Sequence, residues 1–227
     1  MRFERIEDER PEPRDRCRER VTVDVSDVSF GGVQTSTAQK LQRRLAEAAI
    51  AFENERFSQA EDLLASIERL APGVPEVLEL RGLTNYRLGR WGRTIGYLET
   101  FYELTGSADQ HPVLADCNRA LKRWQRVEEL WQELRDASPS AEIVEEGRLV
   151  YAGGLADRGR LVDAIQLLER APRPGKRPGV HHLRRWYLLA DLYERSGDLA
   201  RARRVFGDIV ASDARFGDAA ERLAALG

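Results

Sequence analysis

Three patterns of apolar and polar positions follow one another along the chain. Residues Met1–Arg20 alternate arginine with glutamate and aspartate and carry almost no apolar side chain. Residues Val21–Thr37 set Val21, Val23 and Val25 between polar neighbours, the two-residue period of a strand. From Ala38 to the C-terminus the period is helical, interrupted by short glycine- or proline-bearing turns. The first segment cannot bury enough surface to offset its ordering entropy and is expected to be disordered. A lone strand is not stable by itself. The second segment is therefore expected either to pair across Gly31-Gly32, to lie as an extended arm on the helices, or to stay a mobile linker.

The helical part reads as five pairs and a final single helix. The first pair is LQRRLAEAAIAFENE followed by EDLLASIERL, with Ser58 and Glu61 spaced as a capping box at the start of the second helix. Pro75 suits the first turn of PEVLELRGLTNYRLG, and Gly89 turns the chain into RTIGYLETFYEL. Val113–Leu121 and Val127–Leu134 form the third pair, and Ile143–Asp157 and Leu161–Arg170 the fourth, around Gly159. The basic loop PRPGKRPG precedes the clearest unit, Trp186–Ala214. There Trp186, Leu189, Ala190 and Tyr193 make one apolar stripe, and Ala202, Phe206 and Ile209 a second, across a Gly197-Asp198 turn. Trp186 is the expected stability anchor of that unit. Phe216, Ala220, Leu223 and Leu226 give a last amphipathic helix.

The pairs repeat in register. Small residues Ala48, Gly82, Ala115, Ala152 and Ala190 are each followed twelve positions later by Ala60, Thr94, Val127, Ala164 and Ala202. Four positions on stand Leu64, Leu98, Trp131, Leu168 and Phe206, and three beyond those Ile67, Phe101, Leu134, Ala171 and Ile209. Successive second-helix small positions lie 34, 33, 37 and 38 residues apart. This pattern resembles the tetratricopeptide repeat (TPR) family, whose period is about 34 residues. The resemblance implies an all-α, TPR-like right-handed α-solenoid of about five helix pairs with a C-terminal capping helix, over residues 38–227. Residues 1–20 would be a charged tail and residues 21–37 an arm or linker. Departures from the family pattern are Arg44 and Arg148 where the fifth unit has Trp186, and the bulkier Thr94 and Val127 at small positions.

Composition narrows the function. With 36 basic and 38 acidic residues the formal charge is −2, which does not point to nucleic acid for the chain as a whole. Locally the balance shifts: acids outnumber bases eight to four between Arg43 and Glu79, and bases outnumber acids nine to three between Arg173 and Arg204. The two cysteines, Cys17 and Cys117, are far apart and suggest neither a disulfide framework nor a metal knuckle. No apolar run approaches the roughly 18 residues of a membrane span, so a cytoplasmic protein is expected. No phosphate loop, His-Glu-x-x-His or nucleophile elbow occurs. His181 and His182 are adjacent and diverge on a helix, which suits poor chelation and a helix-start role. The expectation is a protein without catalysis, cofactor or metal.

The resemblance places binding residues on a groove lined by the first helices: Leu45, Phe52, Glu79, Leu83, Tyr86, Asp116, Arg119 and Tyr187. Their aromatic members either stack on a bound peptide or pack against the next unit, and the sequence leaves both open. The lysine and asparagine set by which some TPR domains clamp a chaperone C-terminal carboxylate does not occur in that list. The expected function is an adaptor binding a protein or peptide in the groove, with the N-terminal arm as a possible competitor for it. The alternatives are a nucleic-acid or acidic-surface binder using Lys176, Arg177, Arg184, Arg185, Arg201 and Arg204, or a self-assembling structural unit.

Overall fold

The computed structural model describes Val25, residues 28–172, 174–175 and 178–227; the charged tail and most of the valine segment lie outside these. Among the described residues there are eleven α-helices and no strand. They fall into two compact units, one within residues 20–172 and one within 173–227.

The first unit holds four helix pairs. These are α1 (Thr35–Glu53) with α2 (Phe57–Glu68), and α3 (Pro75–Arg87) with α4 (Trp91–Thr105). Next come α5 (His111–Ala120) with α6 (Trp124–Ala137), then α7 (Ala141–Asp157) with α8 (Leu161–Glu169). Each second helix also packs on the next first helix, α2 on α3, α4 on α5 and α6 on α7, while α1, α3, α5 and α7 neighbour one another in turn. The second unit holds α9 (Val180–Arg195), α10 (Leu199–Ser212) and the short α11 (Ala219–Ala225), with α10 packed on both of the others.

The repeating small and large residues are the core. Every position of the register described above, from Ala48 and Ala60 to Phe206 and Ile209, is buried. Small residues are needed because paired helix backbones approach closely there. At Gly82 a Cβ would stand 2.6 Å from Leu98 Cγ and 2.5 Å from its Cδ2. Thr94, bulkier than the alanine of its counterparts, fits by donating its buried hydroxyl to the Gly82 carbonyl at 3.3 Å, so its polar atom is not stranded.

One turn geometry joins the two helices of all five pairs. Glu55, Gly89, Lys122, Gly159 and Gly197 have φ of 59°, 70°, 57°, 76° and 81°. The next residue in each turn, Arg56, Arg90, Arg123, Arg160 or Asp198, donates its backbone N–H to Ala51, Asn85, Asn118, Leu155 or Tyr193 at 2.8–2.9 Å. This is the Schellman closure, which satisfies carbonyls left open at the helix end and requires a left-handed residue. Glycine supplies it in three turns. Glutamate and lysine supply it in the other two, where the turns are not legible from glycine alone.

Three expectations change. The Ser58–Glu61 capping box does not form: α2 starts at Phe57 after Arg56, without a side-chain cap. Glu61 is turned inward instead, accepting from Arg81 Nη2 at 3.0 Å and from Asn85 Nδ2 at 2.8 Å. Its spacing from Ser58 mimics a cap, but the demand of the largely buried Arg81 wins. In the fifth pair Tyr187, not Trp186, is the buried aromatic: Tyr187 is 7% exposed and Trp186 half-buried. Tyr187 sets its ring edge-on to Phe206, with centroids 5.8 Å apart. In the final helix Ala219 is buried and Ala220 exposed, one position from the expected stripe.

The described part of the valine segment lies on the first pair. Phe30, 6% exposed, joins the core cluster of Leu41, Leu45 and Ala48, and Val25, Val28 and Val33 pack against it. Gln42 donates its side-chain amide to the Val25 carbonyl. The helix α1 itself begins at Thr35, inside the range expected as arm or linker.

Candidate functional site

The first helices carry a run of polar side chains that ties each to the next. From the turn between α1 and α2, Glu55 accepts from Arg87 Nη2 of α3 at 3.1 Å. Between α3 and α5, the Tyr86 hydroxyl donates to Asp116 Oδ2 at 2.7 Å. Gln110, in the turn before α5, donates to Glu79 Oε1 at 2.8 Å. Between α5 and α7, Arg119 Nε donates to Asp157 Oδ2 at 2.6 Å, while its Nη1 lies 3.4 Å from Asp116 Oδ1. Tyr86, Asp116, Arg119 and Asp157 therefore form a continuous chain across three helices. Helical spacing makes this possible: Asp116 and Arg119 are three apart on α5 and share one face.

Electrostatics on this face are uneven. Burial, together with the nearby charges of Asp109 and Glu76, raises the Glu79 carboxyl above its usual value, against the lowering effect of the Gln110 hydrogen bond. Asp116 and Arg119 keep less than a fifth of their side-chain surface in contact with solvent. Their partners hold them in fixed orientations while leaving an accessible edge.

The eight expected groove residues separate into two groups. Glu79, Tyr86, Asp116 and Arg119 retain accessible surface; the chain just described joins Tyr86, Asp116 and Arg119, while Glu79 is held separately by Gln110. Leu45, Phe52, Leu83 and Tyr187 do not: all four are buried, and the structure uses them for packing. Phe52 sets its ring edge-on against Phe57 at 5.5 Å. Tyr187 is covered from the α11 side, where its hydroxyl donates to Asp218 Oδ1 at 2.5 Å and accepts from Arg222 Nη1 at 3.2 Å. Burial pushes its phenol up to about 12, with the Asp218 bond adding to the rise. Arg222 also reaches Asp191 and Glu194 of α9, at 2.9 and 2.6 Å, and lies over the Phe206 ring at 4.6 Å. Burial would lower the Arg222 guanidinium, but its hydrogen bonds to Tyr187, Glu194 and Asp191 outweigh that and raise it. Tyr187, the expected groove residue of the fifth pair, is thus covered by residues at the chain's last helix.

The members of the expected basic cluster differ in exposure. Lys176 and Arg177 lie outside the described residues. Arg185 is only 3% exposed and Arg184 is half-buried. Arg201 is exposed but pairs with Asp198 at 2.5 Å and lies 4.6 Å over the Tyr193 ring; Arg204 is exposed.

Sequence reasoning missed Asp157, Gln110 and Arg222. The Gly153-Gly154 doublet inside a helix was a usable signal, since interior glycine costs about 1 kcal/mol relative to alanine and implies a close approach. Among the described residues no cluster of three or more histidine, cysteine or acidic side chains could hold a metal ion. Cys117 is fully buried, and burial pushes its thiol up to about 12, which leaves it a packing residue. His182 accepts the Gly179 N–H through Nδ1 at 3.2 Å and so serves the start of α9. No helix among the described residues is long and apolar enough to cross a membrane.

This arrangement of helices superposes on solved structures. A thermophilic TPR protein from Thermus thermophilus superposes with a TM-score of 0.61 at 20% identity, over 82% of this chain and 98% of that one. The C-terminal part of a TPR repeat-containing protein from Cytophaga hutchinsonii superposes with a TM-score of 0.58 at 16% identity, over 78% and 71%. The chain has the TPR fold. No family model matches the sequence, and no curated protein matches it either.

Proposed function

We propose that this TPR-fold chain is a non-catalytic protein-interaction module, and that it engages an extended segment of a partner protein on the first-helix face of α3, α5 and α7. The observation that supports this reading is the continuous chain Tyr86–Asp116–Arg119–Asp157. Side chains already held in one orientation lose little freedom when a partner binds, which favours affinity. Glu79 and Asp116 offer acceptors, Arg119 a fork of donors, and Tyr86 an amphipathic ring suited to recognition surfaces. Tyr187 of the fifth pair is left out because Asp218 and Arg222 cover it. The partner is a protein or peptide; burial of Arg185 and the pairing of Arg201 with Asp198 give little support to a nucleic-acid surface.

The test is affinity capture from the source cell with wild type and with Glu79→Gln plus Arg119→Gln. Both substitutions keep hydrogen-bonding side chains and remove the charge. Loss of a captured partner, with unchanged thermal unfolding, supports the face. An identical captured set from both proteins would refute it.

A further inference from the structure

The joint between the second and third pairs contains a histidine that the proposed binding face does not use. His111 opens α5, and its side chain is 1% exposed. Its ring stands edge-on to Tyr102 of α4, with centroids 4.7 Å apart. Its Nε2 lies 3.0 Å from Glu133 Oε2 of α6. A carboxylate can only accept, so Nε2 carries the proton and Nδ1 is left as an acceptor. That Nδ1 is buried with no hydrogen-bond partner among the described residues. Three helices therefore close over an imidazole in one tautomer, with no acceptor among the described residues waiting for a second N–H.

We propose that His111 makes this joint sensitive to mild acid, so that protonation of the buried ring loosens α5 from α4 and α6. Adding a proton creates a buried N–H with no acceptor and places a positive charge in the core, both of which cost stability. The groups facing the ring divide in sign. Glu133 favours the charged form, but it is shared with Arg126, whose Nη1 stands 2.7 Å from Glu133 Oε1. Asp109, in the turn before α5, also favours the charged form, while Arg126 opposes it. Tyr102 contributes a neutral ring. Burial outweighs the carboxylates and lowers the His111 ring below its usual value. A group lowered on folding contributes stability that is present above its unfolded value of about 6.5 and lost as pH falls through the folded one. The acid limb must therefore appear below about pH 6.5.

The device matters because α5 carries Asp116 and Arg119, the centre of the polar chain. Loosening α5 releases its links to both Tyr86 and Asp157. The inference does not depend on what that face binds.

Hydrogen exchange followed between pH 7.5 and 5.5 reads it directly, after correction for intrinsic rates. In wild type, protection of α5 and the facing parts of α4 and α6 is expected to fall below pH 6.5, at most about tenfold per pH unit for one proton. Amides of α1 and α2, which carry no histidine, provide the control. The His111→Gln variant keeps Glu79 and every carboxylate and should lose the acid limb. Flat protection in wild type, or the same slope in His111→Gln, overturns the proposal. NMR titration of the wild-type ring serves as an independent reading should His111→Gln fail to fold. A titration midpoint at or above 6.5 overturns it, and one clearly below 6.5 supports it.

Discussion

Arg119 on α5 reaches across Gly153 on α7. A Cβ at position 153 would stand 2.8 Å from Arg119 Nη1 and 2.9 Å from its Cζ. The glycine is what lets the guanidinium pass to Asp157, where Nε donates at 2.6 Å. The pair shows how a buried backbone position without a side chain sets the orientation of a candidate binding side chain.

Gly153→Ala should therefore separate binding from stability. The guanidinium is the far end of a flexible side chain and can retreat, and alanine brings about 1 kcal/mol of helix preference. Net stability is expected to change by less than about 1 kcal/mol in chemical denaturation. The Arg119–Asp157 link should be lost, seen as a shift of the Arg119 Nε–H resonance. A large loss of stability would show that Arg119 cannot move.

Gly82→Ala should behave differently. There the obstruction is Leu98 Cγ at 2.6 Å, in a fully buried side chain whose branch point cannot swing away. Overpacking of this kind costs about 1–3 kcal/mol, against the helix gain. Thermal unfolding is the measurement, and a stabilised Gly82→Ala protein would contradict the close approach of α3 and α4.

In the fifth pair the aromatic that carries stability is Tyr187. Tyr187→Ala should cost about 3–5 kcal/mol, as for other large core aromatics. Trp186→Ala should cost distinctly less, because a half-buried ring loses less apolar surface. Urea unfolding of both variants decides the order, and equal or reversed costs would contradict the packing around Phe206 and Phe216.

The shared turn geometry predicts opposite signs at two turns. Gly159→Ala places a Cβ at φ 76° and should destabilise by about 1 kcal/mol. Lys122→Gly relieves a non-glycine residue at φ 57° and should stabilise by up to about 1 kcal/mol, after the greater entropy of the unfolded chain is deducted. Matching signs at the two positions in denaturant titrations would mean that the turns are not equivalent.

The fold was legible because its determinants are local and periodic. Ala48, Gly82 and their successors mark backbone approaches, and those positions are buried as a set. The turns at Glu55 and Lys122 were not legible, since left-handed conformation leaves no signature in a charged residue. Glu61 was misread because a capping box and a buried ion-pair acceptor can use the same residue. The candidate site was legible only in part. Spacing placed Tyr86, Asp116 and Arg119 on first helices, but could not distinguish a side chain facing solvent from one bonded to the next helix. That distinction depends on how far each helix leans on its neighbour, and it removed Leu45, Phe52, Leu83 and Tyr187 from the accessible face. Phe30 escaped notice because its burial depends on the chain folding back over α1, which no local pattern announces.

A photo-crosslinking amino acid placed at Glu79 or at Gly96 tests the account most directly. Glu79 lies on the first-helix face and Gly96 is exposed on α4, where an added Cβ would meet nothing within 4 Å. Irradiation in the source cell should attach a protein partner at position 79 and not at position 96. Crosslinking to that partner from position 96 alone, or equally from both, would contradict binding on the first-helix face.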